Sequence, residues 1–318
     1  GRLHPRQAFA RLAAHEPADK TELMQHLDDW ACDRRITRAA VQSFLERSDN
    51  LADGLLGRYL VWTSSGTTGA PCWFVQDAAS LAAYDAIDAL RLRNAAPSKP
   101  SLGLWGLSEC FAFVGATGGH YAGVVSMERL RRTVPAALQP AIHIVSVLQP
   151  LPAVAAELMR CQPSVLITYP SAADALAQLQ REGALALRLR EVWVGGEQLS
   201  PAQRADIAAA FGCTVHNNYG ASECFSIAWE CGHGHLHLND DWVIVEPVDV
   251  HQRPVPPGVL SHNVLLTNLA NRTQPIIRYR LDDRVRVLAE PCACGSAFTA
   301  IEVRGRSGDT LHLPGAHH

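Results

Sequence analysis

Between residues 101 and 200 the chain alternates short apolar runs with helical patterns, and no other feature narrows its fold as much. The runs at 101–107, 141–148, 165–168 and 191–194 read as strands, and 151–160 and 172–182 repeat apolar positions at helical spacing. Strands that recur after intervening helices lie parallel in one sheet, so an α/β sheet of parallel character is expected. Ahead of it, the first 58 residues read as helices: 23–30 is amphipathic, and 37–45 follows a Thr37 cap. A strand at 59–62 runs into a Gly/Ser/Thr segment, and 78–92 is helical in pattern. Past residue 225 the chain turns to β segments at 242–248, 259–268, 276–279 and 285–288, parted by Pro, Gly and Asn. A subdomain boundary is expected there.

The 318 residues are 47% hydrophobic and 19% charged, with a formal net charge of -3. That balance, without a Lys/Arg run, calls for neither nucleic acid nor a membrane surface as partner. No stretch approaches the roughly 18–20 apolar residues that span a bilayer, and cysteines spaced for metal rather than disulfides make a cytoplasmic location the default expectation. Of nine cysteines, Cys32, Cys72, Cys110, Cys161 and Cys213 are scattered among small or apolar residues and read as buried free thiols. Cys224, Cys231, Cys292 and Cys294 crowd into two His- or Gly-rich segments, which suggests metal rather than disulfides.

Thr63-Ser64-Ser65-Gly66-Thr67-Thr68-Gly69-Ala70-Pro71 follows a strand directly. Its glycines permit tight turns, and its five hydroxyls surround the point where successive N–H groups converge, a suitable cradle for polyphosphate. No Gly-Lys-Ser/Thr follows, so it is not a Walker loop. Cys231-Gly-His233-Gly-His235-Leu-His237 and Cys292-Ala-Cys294-Gly295 supply thiolates and imidazoles in two close-spaced groups, the pattern of a tetrahedral structural zinc site. Spacing leaves open which histidine takes part.

Downstream of the loop come Gly195-Gly196-Glu197, Asn218-Tyr219-Gly220-Ala221-Ser222-Glu223, Arg278-Tyr279-Arg280-Leu281-Asp282-Asp283 and Gly305-Arg306-Ser307-Gly308-Asp309. In this order the segments resemble the core motifs of the adenylate-forming superfamily of acyl-CoA synthetases, peptide-synthetase adenylation domains and luciferases. The stretch 275–280 and the Cys-X-Cys-Gly at 292–295 are similar to the phenylacetate–CoA ligase branch. The resemblance implies the large domain of that fold over 1–306, two α/β subdomains with mixed sheets to about residue 225 and a β-rich one from 226. Residues 307–318 would be the hinge, with the C-terminal lid domain absent.

The same resemblance implies roles. Residues 63–69, Thr68 included, would hold the ATP phosphates, and Gly195, Gly196 and Glu197 would line the adenine pocket. Tyr219, beside Asn218 and Gly220, would stack on adenine. Ser222 and the Ala221 backbone would lie beside the α-phosphate, and Glu223 would ligate Mg²⁺. Asp283, rather than its neighbour Asp282, would take the ribose hydroxyls, with Arg306 near ribose or phosphate. Zinc would be held by Cys231, His237, Cys292 and Cys294, with His233 and His235 as rivals. Phe111, Gly119, His120, Tyr121, Tyr169 and Ala221 would form the acid pocket, and their aromatic rings suggest an aryl acid.

The implied reaction is ATP-dependent formation of an acyl-AMP, then transfer to CoA. A carrier protein as acceptor, a diazotase that adenylates nitrite for an aryl amine, and a degenerate nucleotide-binding module are the alternatives; a homodimer is compatible with each. Two departures bear on this. Ala70 and Cys72 stand where relatives often carry lysine, and Gly308 replaces the first of the paired hinge acids.

Overall fold

The computed structural model describes residues 12, 14–47, 51–64, 71–95 and 110–307, the side chains of 91–95 aside. The expected strand at 101–107, the loop residues Ser65, Gly66, Thr67, Thr68 and Gly69, and the hinge pair Gly308 and Asp309 lie outside the described residues. In chain order the helices are α1 Lys20–Gln25, α2 Leu27–Trp30, α3 Arg38–Leu45, α4 Ala78–Ala95, α5 Ala122–Thr133, α6 Leu151–Cys161, α7 Pro170–Arg181 and α8 Pro201–Phe211. The strands are β1 Leu60–Thr63, β2 Trp73–Gln76, β3 Phe111–Gly115, β4 Ile142–Ser146, β5 Val165–Thr168, β6 Glu191–Gly195 and β7 Thr214–Tyr219. Then follow β8 Ala228–Glu230, β9 Leu236–Leu238, β10 Val243–Val248, β11 Asn263–Asn268, β12 Ile276–Arg280, β13 Asp283–Val287 and β14 Ala300–Arg306.

A nine-stranded sheet in the order β13-β14-β9-β8-β7-β6-β5-β3-β4 organises the chain. From β7 to β4 every pairing is parallel, and from β7 to β13 every pairing is antiparallel. The sheet is therefore mixed, as expected. The hairpin β1–β2 and the antiparallel β10-β11-β12 form two smaller sheets.

Parallel strands are covered on both faces and so read as continuous apolar runs. One face of the large sheet buries Ala112, Val114, Leu166, Val192 and Val194 against Leu158 of α6, Leu176 of α7 and Ile207 of α8. The opposite side joins Phe113 and Val125 of α5 to Trp62, Phe74, Tyr84 of α4 and Leu266 of β11. Local signals set the helix ends. Ser200 and Gln203 form a capping box for α8, and Gly212, at φ 62, ends it. Thr37 caps α3 by accepting from Ala40 N–H.

Two expectations are corrected. The amphipathic stretch 23–30 is broken at His26, which leaves α1 and α2 as separate short helices. Cys32, read as buried, is exposed in the turn after α2, and Cys110, Cys161 and Cys213 are half-buried; Cys72 is buried as expected. Among the described residues no helix is long and apolar enough to cross a membrane.

Leu166 lies on the central strand β5 and is fully buried. Leu166→Ala is expected to cost about 2–5 kcal/mol in urea unfolding, whereas Leu148→Ala, at a side chain 72% exposed, changes stability by no more than about 0.5 kcal/mol.

Candidate functional site

The C-terminal ends of β3, β5, β6 and β7 fall along one edge, with Thr168 paired to both Val114 and Val194, and Gly195 to Asn218. Ligands of open α/β sheets lie outside this edge. The chain is packed tightly there. A Cβ on Gly195 would lie 3.0 Å from the Asn218 carbonyl oxygen, and one on Gly196, at φ +77, would lie 3.2 Å from the Tyr169 ring. Ala116 N–H donates to Tyr169 Oη at 3.3 Å, which ties the ends of β3 and β5 together. Glu197 accepts from the Ser171 N–H and Oγ, each at 3.0 Å, so its carboxylate caps the N-terminus of α7.

Tyr219 ends β7 and opens a tight turn. Ala221 and Cys224 exchange backbone hydrogen bonds of 2.9 and 3.1 Å, and Ile227 N–H returns to the Tyr219 carbonyl at 2.9 Å. Only glycine fits at 220, because a Cβ there would meet the Phe225 carbonyl oxygen at 2.0 Å. The turn leaves Ser222 half-buried beside a buried Glu223. Asn268 Nδ2 holds the Glu223 carbonyl at 2.9 Å, and the Tyr279 hydroxyl bonds its carboxylate. Burial outweighs that bond and raises the Glu223 pKa above its ordinary value.

Asp283 opens β13 opposite Arg306 at the end of β14. It accepts from Tyr219 Oη at 2.7 Å and from Arg306 Nε at 3.4 Å. Burial raises its pKa despite both partners. The same desolvation, beside Asp283, drives the Tyr219 phenol well above its usual range and keeps it a donor. Asp282 turns elsewhere: at φ +61 it accepts from Asn263 Nδ2 at 3.0 Å. Of the two neighbouring acids, Asp283 is the one that joins Tyr219.

The ends of the Ser/Thr/Gly segment are anchored beside this edge. Ser64 N–H donates to the Cys72 carbonyl, and Cys72 N–H donates back to Ser64 Oγ, both at 2.9 Å. Thr63 bridges to Tyr121 and donates to the His120 carbonyl at 2.7 Å. His120 is buried near the Phe44 ring, and burial lowers its pKa, which favours the neutral imidazole. A Cβ on Gly119 would come within 3.1 Å of the Tyr121 ring. Phe111 is not brought to the edge. It begins β3, four residues and roughly 13 Å from that strand's far end.

The second constellation does converge. One ligand atom each from Cys231, His237, Cys292 and Cys294 lies within 4.8 Å of the others. Cys231 Sγ and Cys292 Sγ are 3.8 Å apart, and Cys294 Sγ is 3.3 Å from His237 Nε2. Tetrahedral bonds of about 2.3 Å to sulfur place two ligand sulfurs about 3.8 Å apart, so the donor set fits zinc. The Phe298 carbonyl, 2.9 Å from His237 Nδ1, would fix the tautomer that leaves Nε2 to a metal. His233 is exposed, and neither it nor His235 joins the group. Cys224 is buried away from it, against Tyr84 and Ser226.

Sequence reasoning missed Asn268 and Tyr279 as partners of Glu223. Tyr279 was visible only inside a motif, and a single Asn in an apolar strand carries no signal.

An acid whose folded pKa is raised binds more protons folded than unfolded, so stability falls as pH rises between the two values. Glu223→Gln is therefore expected to stabilise the chain in urea at neutral pH, with the gain vanishing below the ordinary value of 4.5. Gly220→Ala, by contrast, should destabilise at every pH.

No family model matches the chain. It is 28% identical over 274 residues to the phenylacetate-coenzyme A ligase of Escherichia coli (strain K12), an alignment covering 81% of this chain and 57% of that one. It is 30% identical over 131 residues to the phenylacetate-coenzyme A ligase of Aromatoleum evansii, covering 39% and 28%. An open conformation of 2-hydroxyisobutyryl-CoA ligase, in complex with 2-HIB-AMP and CoA, superimposes with a TM-score of 0.66 at 17% identity, over 98% of this chain and 66% of that one. The chain thus spans 57% of the first relative's length and 28% of the second's. Its mixed nine-stranded sheet is that of the large adenylate-forming domain. The chain's sequence relatives thus include phenylacetate–CoA ligases, and its structural neighbours are acyl-CoA ligases of the adenylate-forming superfamily.

Proposed function

We propose that the protein is an ATP-dependent ligase that activates a carboxylic acid as its acyl-adenylate and passes the acyl group to coenzyme A. The observation that carries this reading is the Tyr219–Asp283–Arg306 set beside a buried Glu223, at the strand edge where the chain already presents Ser222 and Thr63. The named activities of the sequence relatives and the adenylate and CoA bound by the structural neighbour support it.

In this reading the adenine packs on Tyr219 between Gly195, Gly196 and the Asn218 strand end. Asp283 presents carboxylate oxygens to the ribose hydroxyls. The segment from Thr63 and Ser64 receives the outer phosphates through N–H and hydroxyl donors. The substrate carboxylate attacks the α-phosphorus and pyrophosphate leaves, so charge grows on phosphate oxygens. Ser222, backbone N–H groups and Arg306 oppose that charge by hydrogen bonding. Mg²⁺ is assigned to Glu223, whose buried carboxylate suits a hard cation, and its charge would offset that of the phosphates. Zn²⁺ is assigned to Cys231, His237, Cys292 and Cys294 in a structural role, since protein donors fill all four positions. The neutral His120 and the rings of Tyr121 and Tyr169 favour a flat, aryl acid.

Full-length protein assayed for pyrophosphate release over aryl and aliphatic acids, with and without CoA, should respond to an aryl acid and accelerate with CoA. Glu223→Ala should abolish the signal. Release with nitrite and an aryl amine alone would reject the ligase reading in favour of a diazotase. Metal analysis should find one zinc per chain, lost in His237→Ala and retained in His233→Ala.

A further inference from the structure

The segment from Asn268 to Gln274 bonds to β2 and Asp77 at one end and to the Glu223 turn at the other. β2, which carries the chain out of the Ser/Thr/Gly segment, pairs with β1 along one edge. Along β2, amide side chains supply further strand-like bonds. Gln274 Oε1 accepts from Val75 N–H at 2.6 Å, and Gln274 Nε2 donates to the Trp73 carbonyl at 3.1 Å. Asn271 Nδ2 donates to the Val75 carbonyl at 2.7 Å and to Gln76 Oε1 at 3.2 Å. Thr273 Oγ1 donates to Asp77 Oδ2 at 2.6 Å. Gln274 is fully buried, and Asn271 and Asn268 are nearly so.

The other end of the segment holds the Glu223 turn. Asn268 Nδ2 donates to the Glu223 carbonyl at 2.9 Å and to Tyr84 Oη at 2.8 Å. Its Oδ1 accepts from Ala270 N–H at 3.0 Å. Tyr84 belongs to α4, which leaves β2 after Asp77, and its ring packs with Trp62 of β1 and Phe225 of the turn. Buried amides with every polar atom engaged hold one geometry, because each alternative leaves a desolvated group unpaired.

We infer that Asn268, Asn271 and Gln274 are positioning residues that fix the β1–β2 hairpin relative to Glu223. They thereby set the grip on the triphosphate end of ATP, while Tyr219 and Asp283 hold the nucleoside end independently. This rests on the adenylating reading above, and the test separates the two.

The probes are ATP and AMP, titrated against full-length protein with Mg²⁺ present. Gln274→Glu keeps the shape but, ionised, cannot donate to the Trp73 carbonyl. At neutral pH it should bind ATP about tenfold more weakly, with AMP affinity within twofold of the parent. Lowering the pH protonates the new carboxyl, which restores one donor and one acceptor. ATP affinity of the variant should then return towards that of the parent protein measured at the same pH. A merely structural role would weaken ATP and AMP together, and that result overturns the inference, as does unchanged ATP binding. Should Gln274→Glu fail to fold, Thr273→Val removes one bond to Asp77 and should still weaken ATP selectively; equal losses, or none, would overturn it. Failure of the parent protein to bind either nucleotide would sink the adenylating reading itself.

Discussion

The hydrogen bond from Tyr219 to Asp283 requires the large sheet to curl back on itself. Tyr219 ends β7 and Asp283 begins β13, and β8, β9 and β14 lie between them in the sheet order. Four strand spacings in a flat sheet amount to roughly 19 Å, further than the two side chains together can reach. The observed 2.7 Å contact therefore reports how far the antiparallel half curls back towards β7. Three-residue strands make that bend easy, and β8 and β9 are that short. Short strands also hold little pairing energy of their own, so the curl needs support from outside the ladder.

That support is where the cysteines and His237 gather. Cys231 follows β8, His237 lies within β9, and Cys292 and Cys294 occupy the connection between β13 and β14. The cluster joins the two turns at one end of the curled half, while Asp283 and Arg306 face each other at the other end of the β13–β14 pair. Side chains packed together at one end of a hairpin limit sliding at its far end, because a register slip of one residue would exchange its faces. The Cys/His cluster and the Asp283–Arg306 pair are thus related through two strands rather than through contact.

Much of this was legible in the sequence where chemistry repeats or clusters. The apolar runs at β5 and β6 gave their strands almost to the residue, because burial on both faces leaves an unbroken hydrophobic signal. The Gly-rich turns marked Gly196 and Gly220, where a side chain has no room. Less could be read where tertiary context decides. The strand at Ala300–Arg306 alternates charges along a partly exposed face, and β8 and β9 are too short for any period to register. Spacing left three histidines as rivals; the pairing of His237 with Ala300 brings that one beside the Cys292–Cys294 connection. The amides Asn268, Asn271 and Gln274 were silent because a polar residue in a loop and one in a buried network look the same until the fold supplies their partners.

The two buried carboxylates connect this architecture to its chemistry. Burial raises the pKa of both Glu223 and Asp283, so each ionised group is held at a cost to folding. The costs are met differently. Asp283 recovers part of its lost hydration from Tyr219 and Arg306, whereas Glu223 has its own backbone N–H and the Tyr279 hydroxyl as partners and Arg306 only as a weaker charge. The low dielectric that penalises a lone carboxylate also strengthens its attraction to a cation placed beside it. A side chain that destabilises the fold for want of a counter-charge is thereby the stronger ligand once one arrives. Asn268, itself buried, holds the Glu223 carbonyl and so fixes the turn that carries this carboxylate.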